Sequence, residues 1–430
     1  MTAPSTYLAP PTADFEQLRA LFQPVFDKIA EGSAEREQGR TFPHEQVRWL
    51  IDTRFATLRV PVGRGGFGAS LRQVFELLAL LGAADANVGH IWRNHLAFVE
   101  DRLNAQVSPA NDRWLERVLA GEFVGGGWTE ADNGTFENIK TKLVKAGDHW
   151  EITGRKFYAT GSLYADWLDV LGLGPDGTPL TALVRVRQPG VELIDDWQGF
   201  GQRTTASGSA NYRQARIEDG DLIPLAERNP SLAPFYQIAM LAVLAGITSA
   251  ALRDGIAALR DRKRNYKHGL AKVPSDDPQL LQVLGRISAL SFGAHAALMR
   301  ASATLDDIVA ARLSGAGHDE LTGLLVKTSI ATSEAQIVII DAALEATTIV
   351  FDALGASGTY ETRRLDRHWR NARTLASHNP RVYKERIIGD WLVNGADPVA
   401  AVSGFGAGPA ASGADQADQA GTAPVNVQGS

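Results

Sequence analysis

A chain of 430 residues with 44% hydrophobic side chains is long for a single core and apolar enough to bury two or three packed units. A formal charge of −6 and a pI near 5.9 exclude general nucleic-acid binding, which needs a basic face to displace counterions. The absence of cysteine excludes disulfide scaffolds, thiolate zinc sites, iron–sulfur clusters and thiol nucleophiles.

The N-terminal stretch MTAPSTYLAPPTADF lacks a basic segment followed by an apolar one, so no secretory signal is expected and cytoplasmic residence is the default. Residues 14–119 read as helices. DFEQLRALFQPVFDKIAEGSAEREQ and PHEQVRWLIDTRFATLRVP place apolar side chains three and four apart. GRGGFGAS is a turn, and Ser70 is positioned to cap the helix that follows it. From Val124 the period changes. HWEITGRKFYATG, DWLDVLGLG, TALVRVRQPGVELI and ANYRQARIED are short β-forming segments separated by Gly, Pro and Asp. Four long helical patterns follow, at roughly 233–266, 276–313, 319–354 and 361–393, as expected of a bundle.

The most apolar stretch, Pro234–Leu252, contains Gln237 and Gly246 and runs into Arg253 and Asp254, so it is expected to be a buried core helix and not a membrane span. The expected organisation is an N-terminal helical domain over 1–123, a middle β-domain over 124–223, a C-terminal bundle over 224–400 and a disordered Gly/Ala/Gln-rich tail over 401–430.

Neither VGRGGFG nor VGGGWTE has the spacing and context of a dinucleotide fingerprint, and there is no Walker A string. His90 and His95 in HIWRNH are five apart and so on different helical faces, which argues against a metal site there. His90 and Asn94 are candidates to line a pocket and contact a substrate. The cluster RDRKRNYKHG, Arg260–Gly269, is either a solvated helix end or a phosphate site built on Arg262 and Arg264.

Four strings occur in one order: GWTEADNGT, GRKFYATGSLYADWLDVLG, GFGQRTTASGSA and RRLDRHWRNART. Together they resemble the acyl-CoA dehydrogenase family over about Phe15–Pro398. The resemblance implies an α+β fold with an N-terminal helical domain, a middle β-barrel and a C-terminal four-helix bundle, assembled as a homotetramer. It also implies a flavin site. Trp128, Phe157 and Tyr158 would supply its walls, Thr129, Thr135, Ala159, Arg370 and Asn379 would contact the cofactor, and Asn133 and Thr160 would hold its reactive edge. Arg262 and Arg264 match the position of an arginine that reaches the flavin phosphate of a neighbouring subunit, and Trp197 is a further candidate substrate contact.

Dehydrogenases of this family use a carboxylate to take a proton next to a thioester, often just after the arginine block. Here that region reads NARTLASHNP, with no acid between Asp366 and Glu385. His378 and Asn379 stand there instead, and an imidazole suits proton shuttling near neutral pH. The segment from Leu365 resembles the dibenzothiophene monooxygenases and related sulfur-acquisition enzymes. That branch implies reduced FMN from a separate NAD(P)H-dependent reductase, with FAD possible in its place. It implies reaction with O2 to a C4a-(hydro)peroxyflavin that His378 would hydrogen-bond, and oxygen transfer to an organosulfur or aromatic heterocyclic molecule. The alternative is an FAD-dependent acyl-CoA dehydrogenase or oxidase with a displaced base.

Overall fold

Four of the six helix starts in the N-terminal part are set by a local side-chain oxygen acceptor. Asp14 accepts the Gln17 N–H at the start of α1 (Phe15–Ala30), which is followed by α2 (Ser33–Gly39) and α3 (His44–Asp52). At α4 (Leu71–Ala84), Ser70 and Gln73 exchange side-chain-to-backbone bonds in a capping box, as Ser70 suggested from sequence. Asp85 caps α5 (Ala86–Asn104), and Ser108 caps α6 (Pro109–Leu119), where Pro109 takes a first-turn position. The computed structural model describes residues 6–130 and 139–402. Asn133 and Thr135, two of the expected flavin contacts, lie outside the described residues, as does almost all of the tail.

Eight strands follow: β1 (Val124–Gly127), β2 (Lys142–Ala146), β3 (His149–Lys156), β4 (Trp167–Leu173), β5 (Pro179–Arg185), β6 (Val191–Ile194), β7 (Ser209–Ile217) and β8 (Leu222–Pro224). They run in the order β6-β7-β3-β2-β4-β5-β8, with β1 parallel to β4 from Val124–Trp167 to Gly127–Val170. β2 and β4 meet at one register pair, Lys142–Leu173, so two halves of the sheet hinge on a corner. The end strands β6 and β8 are not paired with each other among the described residues, which leaves the expected barrel open along that line.

The C-terminal part is α7 (Leu232–Asp261), α8 (Pro278–Leu313), α9 (His318–Leu354), α10 (Asp366–Ala376), α11 (Arg381–Asn394) and the short α12 (Pro398–Val402). Two sequence expectations are corrected. The first bundle helix stops at Asp261 and not near 266, because the crowded cations Arg262–Lys267 do not continue it. The fourth is two helices, α10 and α11, since Pro380 cannot donate to the ladder and disfavours helical backbone at Asn379.

α7 is long and apolar enough to cross a membrane, yet most of its apolar window is buried within the fold, and it packs against α4, α5, α8, α9 and α10. Its crossing with α4 is close: a Cβ on Gly246 would lie 2.3 Å from the Ala79 carbonyl oxygen, so only glycine fits there.

A buried polar network ties the three parts together. Arg59 pairs with Glu100 at 2.7 Å. Arg228 pairs with Asp101 at 2.6 Å and Asp169 at 2.7 Å. Arg312 of α8 donates to Asn104 at 2.6 Å and Asn229 at 3.1 Å. Burial would raise the Asp101 carboxyl, but Arg228 and Arg102 hold it below the usual range. α5, β4 and the bundle therefore meet at fixed distances, and the candidate site lies beside this junction.

Candidate active site

Helix periodicity puts His90, Arg93 and Asn94 on one face of α5 and turns His95 away. His95 is core: its ring stacks on Phe123 at 4.8 Å, and its Nδ1 accepts the Val124 N–H at 3.1 Å. That bond requires a lone pair on Nδ1, so the imidazole is neutral. Asn94 faces the sheet and donates to the Thr160 carbonyl at 2.9 Å. Its close approach needs a glycine opposite, since a Cβ on Gly126 would sit 2.7 Å from the Asn94 amide nitrogen.

Thr160 begins a buried row of hydroxyls. Its Oγ1 lies 2.8 Å from Ser207 Oγ, which is 2.7 Å from Thr205 Oγ1, and Thr205 donates in turn to the Gln202 carbonyl at 2.9 Å. Gln202 is buried with a left-handed backbone (φ 52), an arrangement that costs a non-glycine residue about 1–2 kcal/mol. Its N–H donates to Asn371 Oδ1 of α10 at 2.6 Å, and its side-chain oxygen faces His90 Nδ1 at 3.1 Å. With that oxygen accepting, His90 carries its proton on Nδ1 and leaves Nε2 as an acceptor. His90 Nε2 and Gln202 Nε2 are both buried and have no partner.

His378 arrives from the other end of the chain. α10 ends at Ala376, His378 N–H donates to the Leu375 carbonyl at 3.1 Å, and Gln336 of α9 donates to the Asn379 carbonyl at 2.6 Å. The break at Pro380 thus sets the imidazole at the edge of α5, where Arg93 Nη1 stands 3.4 Å from His378 Nε2. An arginine has only donors, so Nε2 accepts and the His378 proton is on Nδ1. His378 is exposed to solvent, with neighbouring groups only partly desolvating it. That desolvation, Arg93 and His90 hold its pKa well below the ordinary histidine value. Burial, then Arg93, brings His90 down to about 3. Both imidazoles are therefore neutral at neutral pH.

The guanidinium of Arg93 lies 5.0 Å from the centre of the Tyr236 ring on α7. Tyr236 meets Trp128 edge-on at 6.2 Å, and Arg228 covers Trp128 at 5.2 Å. The segment after Trp128 is fixed from below. Lys156, with no exposed side-chain surface, pairs with Glu130 at 2.7 Å. Burial alone would raise the Glu130 carboxyl, but Lys156, the Lys140 N–H and the Thr141 hydroxyl outweigh it and hold it at about 2.

Of the residues picked from sequence, His90, Asn94, Trp128, Thr160 and His378 converge on this cleft. Phe157, Tyr158 and Trp197 form a separate aromatic run: Phe157 and Tyr158 lie 4.6 Å apart and Tyr158 and Trp197 5.9 Å apart. Tyr158 is left-handed (φ 57) and half exposed. The Phe157 N–H donates to the Thr129 carbonyl at 2.9 Å, Thr129 is exposed, and Ala159 is buried with its N–H on the Gly208 carbonyl. Arg370 is engaged by Glu37, by Asp366 at 2.8 Å and by the Phe200 carbonyl at 2.9 Å, so its visible partners are structural. Asn379 contributes its carbonyl to Gln336.

Arg262 and Arg264 lie past the far end of α7, about 39 Å along the helix from Tyr236, so they cannot serve this chain's own cleft. Arg262 instead donates to the Arg264 and Ala353 carbonyls. No group of three metal-ligating side chains occurs among the described residues. Sequence reasoning missed Arg93, Gln202, Ser207 and Tyr236. Only Arg93 left a local signal, three residues after His90 on the same face.

Residues 238–381 match the family model described as acyl-CoA dehydrogenase, C-terminal domain. A dibenzothiophene monooxygenase of Rhodococcus erythropolis is 27% identical over 397 residues, covering 88% of this chain and 94% of that protein. The Pseudomonas putida protein named "Probable FMNH2-dependent monooxygenase SfnC" is 25% identical over 391 residues, covering 88% and 95%. The family model and these relatives support the flavin-dependent monooxygenase branch of the acyl-CoA dehydrogenase superfamily. The FMN-bound structure of TdsC from Paenibacillus sp. A11-2 shares the fold, with a TM-score of 0.79 at 24% identity over 89% of this chain and 98% of that one. So does the methanesulfinate monooxygenase MsuC of Pseudomonas fluorescens, with a TM-score of 0.77 at 23% identity over 90% and 98%.

Proposed function

We propose that this protein is the oxygenase component of a two-component system that uses reduced FMN and O2 to oxygenate an organosulfur or aromatic heterocyclic small molecule. The observation that carries the reading is the pair of neutral imidazoles, His90 and His378, facing one cleft around Arg93 with no carboxylate ion-paired to Arg93 among the described residues. A dehydrogenase needs a carboxylate aimed at an alpha carbon; this cleft offers histidines that hold and pass protons.

The residues present fit a flavin. Trp128 supplies a flat apolar wall, and the unpartnered Gln202 Nε2 and His90 Nε2, with the Thr160–Ser207–Thr205 hydroxyls, offer the donors and acceptors that an isoalloxazine edge requires. When bound, reduced FMN supplies two electrons, so that one atom of O2 enters the substrate and the other leaves as water. The chain's own residues do the rest. Thr160 and its hydroxyl neighbours orient the reactive edge. His378 Nδ1–H donates to the oxygen being delivered, and His90 Nε2 accepts a hydrogen bond from the bound groups. Tyr236 and Trp128 keep water out. Asn133 and Thr135 are proposed to complete the cofactor contacts, and Arg262 and Arg264 to act across an interface between copies.

Several features support the partners proposed. A relative is named as FMNH2-dependent, and this sequence has no nucleotide fingerprint of its own, which favours a separate NAD(P)H-dependent reductase. Phe292 of α8, Val338 of α9 and Val382, Tyr383, Leu392 and Val393 of α11 are exposed, which favours packing of the bundle against other copies in a tetramer. The test is stopped-flow mixing of the protein with photoreduced FMN and oxygenated buffer. A transient absorbing species that precedes oxidised FMN, and shortens in lifetime when substrate is added, is expected. Immediate return to oxidised FMN with every candidate substrate unchanged counts against the reading.

A further inference from the structure

Arg93 is a cation with no ion-pair partner among the described residues. It is part-buried, and desolvation brings its pKa down to about 10, still charged at neutral pH. Its hydrogen bond goes to a neutral imidazole, and its flat face lies over Tyr236. Its Nε is buried and unpartnered. The edge formed by Nε and Nη2, one of the two forks by which arginine grips a planar pair of oxygens, therefore has no hydrogen bond. The described acids around Tyr236 and Trp128 do not compensate it. Asp101 and Asp169 are taken up by Arg228, and Glu130 by Lys156.

Three other arginines with little exposed side-chain surface pair with carboxylates: Arg59 with Glu100, Arg228 with two aspartates, Arg36 with Asp85. Arg93 is part-buried, and a guanidinium whose Nε is buried without a partner is costly, because it cannot shed its proton and that edge's desolvation is not offset. Such a group persists where a ligand brings the missing charge. The neutral state of His90 and His378 adds no competing cation.

We infer that Arg93 is the anchor for an oxyanion group on the substrate, so that the compound oxygenated here is a small organosulfur anion such as a sulfinate or sulfonate and not a neutral heterocycle. This rests on the reading of the cleft as an oxygenase site and narrows its substrate class. Arg93 is adjacent to His378, so a substrate gripped by its charged end presents the rest of its skeleton to the imidazole and the Trp128 wall.

Binding is tested apart from turnover, by calorimetric titration of the FMN-loaded protein with an alkanesulfonate, the matching alkanesulfinate, the matching carboxylate and a neutral sulfone. The sulfur oxyanions should bind and raise the melting temperature while the sulfone does neither. Arg93→Gln should weaken oxyanion binding by about thirtyfold or more, the usual loss when one side of a buried charge pair is removed, and Arg93→Lys should restore part of it. A carboxylate that binds as well as the sulfonate keeps the anchor but widens the class. Equal binding of sulfone and sulfonate, or an Arg93→Gln protein that keeps full oxyanion affinity, overturns the inference. If Arg93→Gln instead loses only FMN affinity, Arg93 serves the cofactor and the inference is again overturned. If oxyanions bind through Arg93 but no oxygenation occurs with any of them, the oxygenase reading fails and the anion site stands.

Discussion

Gln202 presents its side-chain oxygen to His90 Nδ1 at 3.1 Å from a backbone held in the left-handed region, so a strained loop residue fixes which nitrogen of a buried histidine carries the proton. Replacing it by glutamate puts a negative charge where the amide oxygen was. An opposite charge in contact favours the protonated imidazole, and Arg93 nearby keeps the new carboxylate ionised. In Gln202→Glu the His90 titration should rise from about 3 by about 1–3 pH units. The acid side of the activity profile should move up with it, because the neutral His90 is then lost at a higher pH. Proton NMR of the histidine ring follows the first effect and rate profiles the second. A His90 titration that does not move would mean that the contact is absent in solution.

Three buried histidines, His90, His95 and His368, make the fold sensitive to acid, with burial holding His368 at about 4. His90 and His95 are each held at about 3 by burial, against about 6.5 in an unfolded chain. Their folded-state values are depressed, so between those limits the unfolded chain binds more protons. Stability is thus full above pH 6.5 and falls as the pH drops towards 3. Each histidine should cost roughly 2 kcal/mol by pH 5, a large share of a typical 5–15 kcal/mol. Denaturant unfolding at pH 7 and pH 5 should show the loss. His95→Phe, which keeps the stacking on Phe123 but gives up the Val124 bond, should remove its own share, roughly 2 kcal/mol by pH 5, of the pH dependence.

The parts of this site that were legible in sequence are those written locally. The hydroxyl at Thr160, the face shared by His90 and Asn94, and the break at Pro380 are all set within a few residues of chain. Arg93 was not legible because its meaning comes from His378, 285 residues away, and from Tyr236 on a helix that reads simply as apolar. Gln202 was hidden for a different reason. Its role depends on a left-handed backbone imposed by contacts to Asn371 and Thr205, which no propensity reveals. Arg262 and Arg264 read as a phosphate cluster because charge is visible in sequence, whereas the length of α7 between them and the cleft becomes decisive only in three dimensions.

Lys156 and Glu130 couple β3 to the segment that carries Trp128. Lys156→Met removes one partner of a buried pair and leaves a carboxylate with only the Lys140 N–H and the Thr141 N–H and hydroxyl. The expected loss is about 3–5 kcal/mol of stability. FMN affinity, read from quenching of flavin fluorescence, should fall as well, since the Trp128 carbonyl also receives a bond from Lys156 at 3.4 Å. The double replacement Lys156→Met, Glu130→Gln should recover much of the stability. If it recovers none, the cost comes from packing and not from the stranded charge.

Gly201 is the tightest contact between the loop bearing Gln202 and helix α10. A Cβ there would stand 2.2 Å from the Arg370 carbonyl oxygen and 2.5 Å from Thr374 Oγ1. Backbone on one side and a hydrogen-bonded threonine on the other give no easy escape, since Thr374 already donates to that same carbonyl at 2.8 Å. Gly201→Ala should therefore lift the loop from α10, stretch the 2.6 Å bond from the Gln202 N–H to Asn371 and release His90 from Gln202. The expected cost is about 1–3 kcal/mol, as for other overpacking changes, with a larger fractional loss of oxygenation than of FMN binding. Thr374→Ala in the same chain removes one of the two obstacles and should return part of the stability. Oxygenation that stays at the wild-type rate in Gly201→Ala would show that the loop's seat on α10 does not set the position of His90.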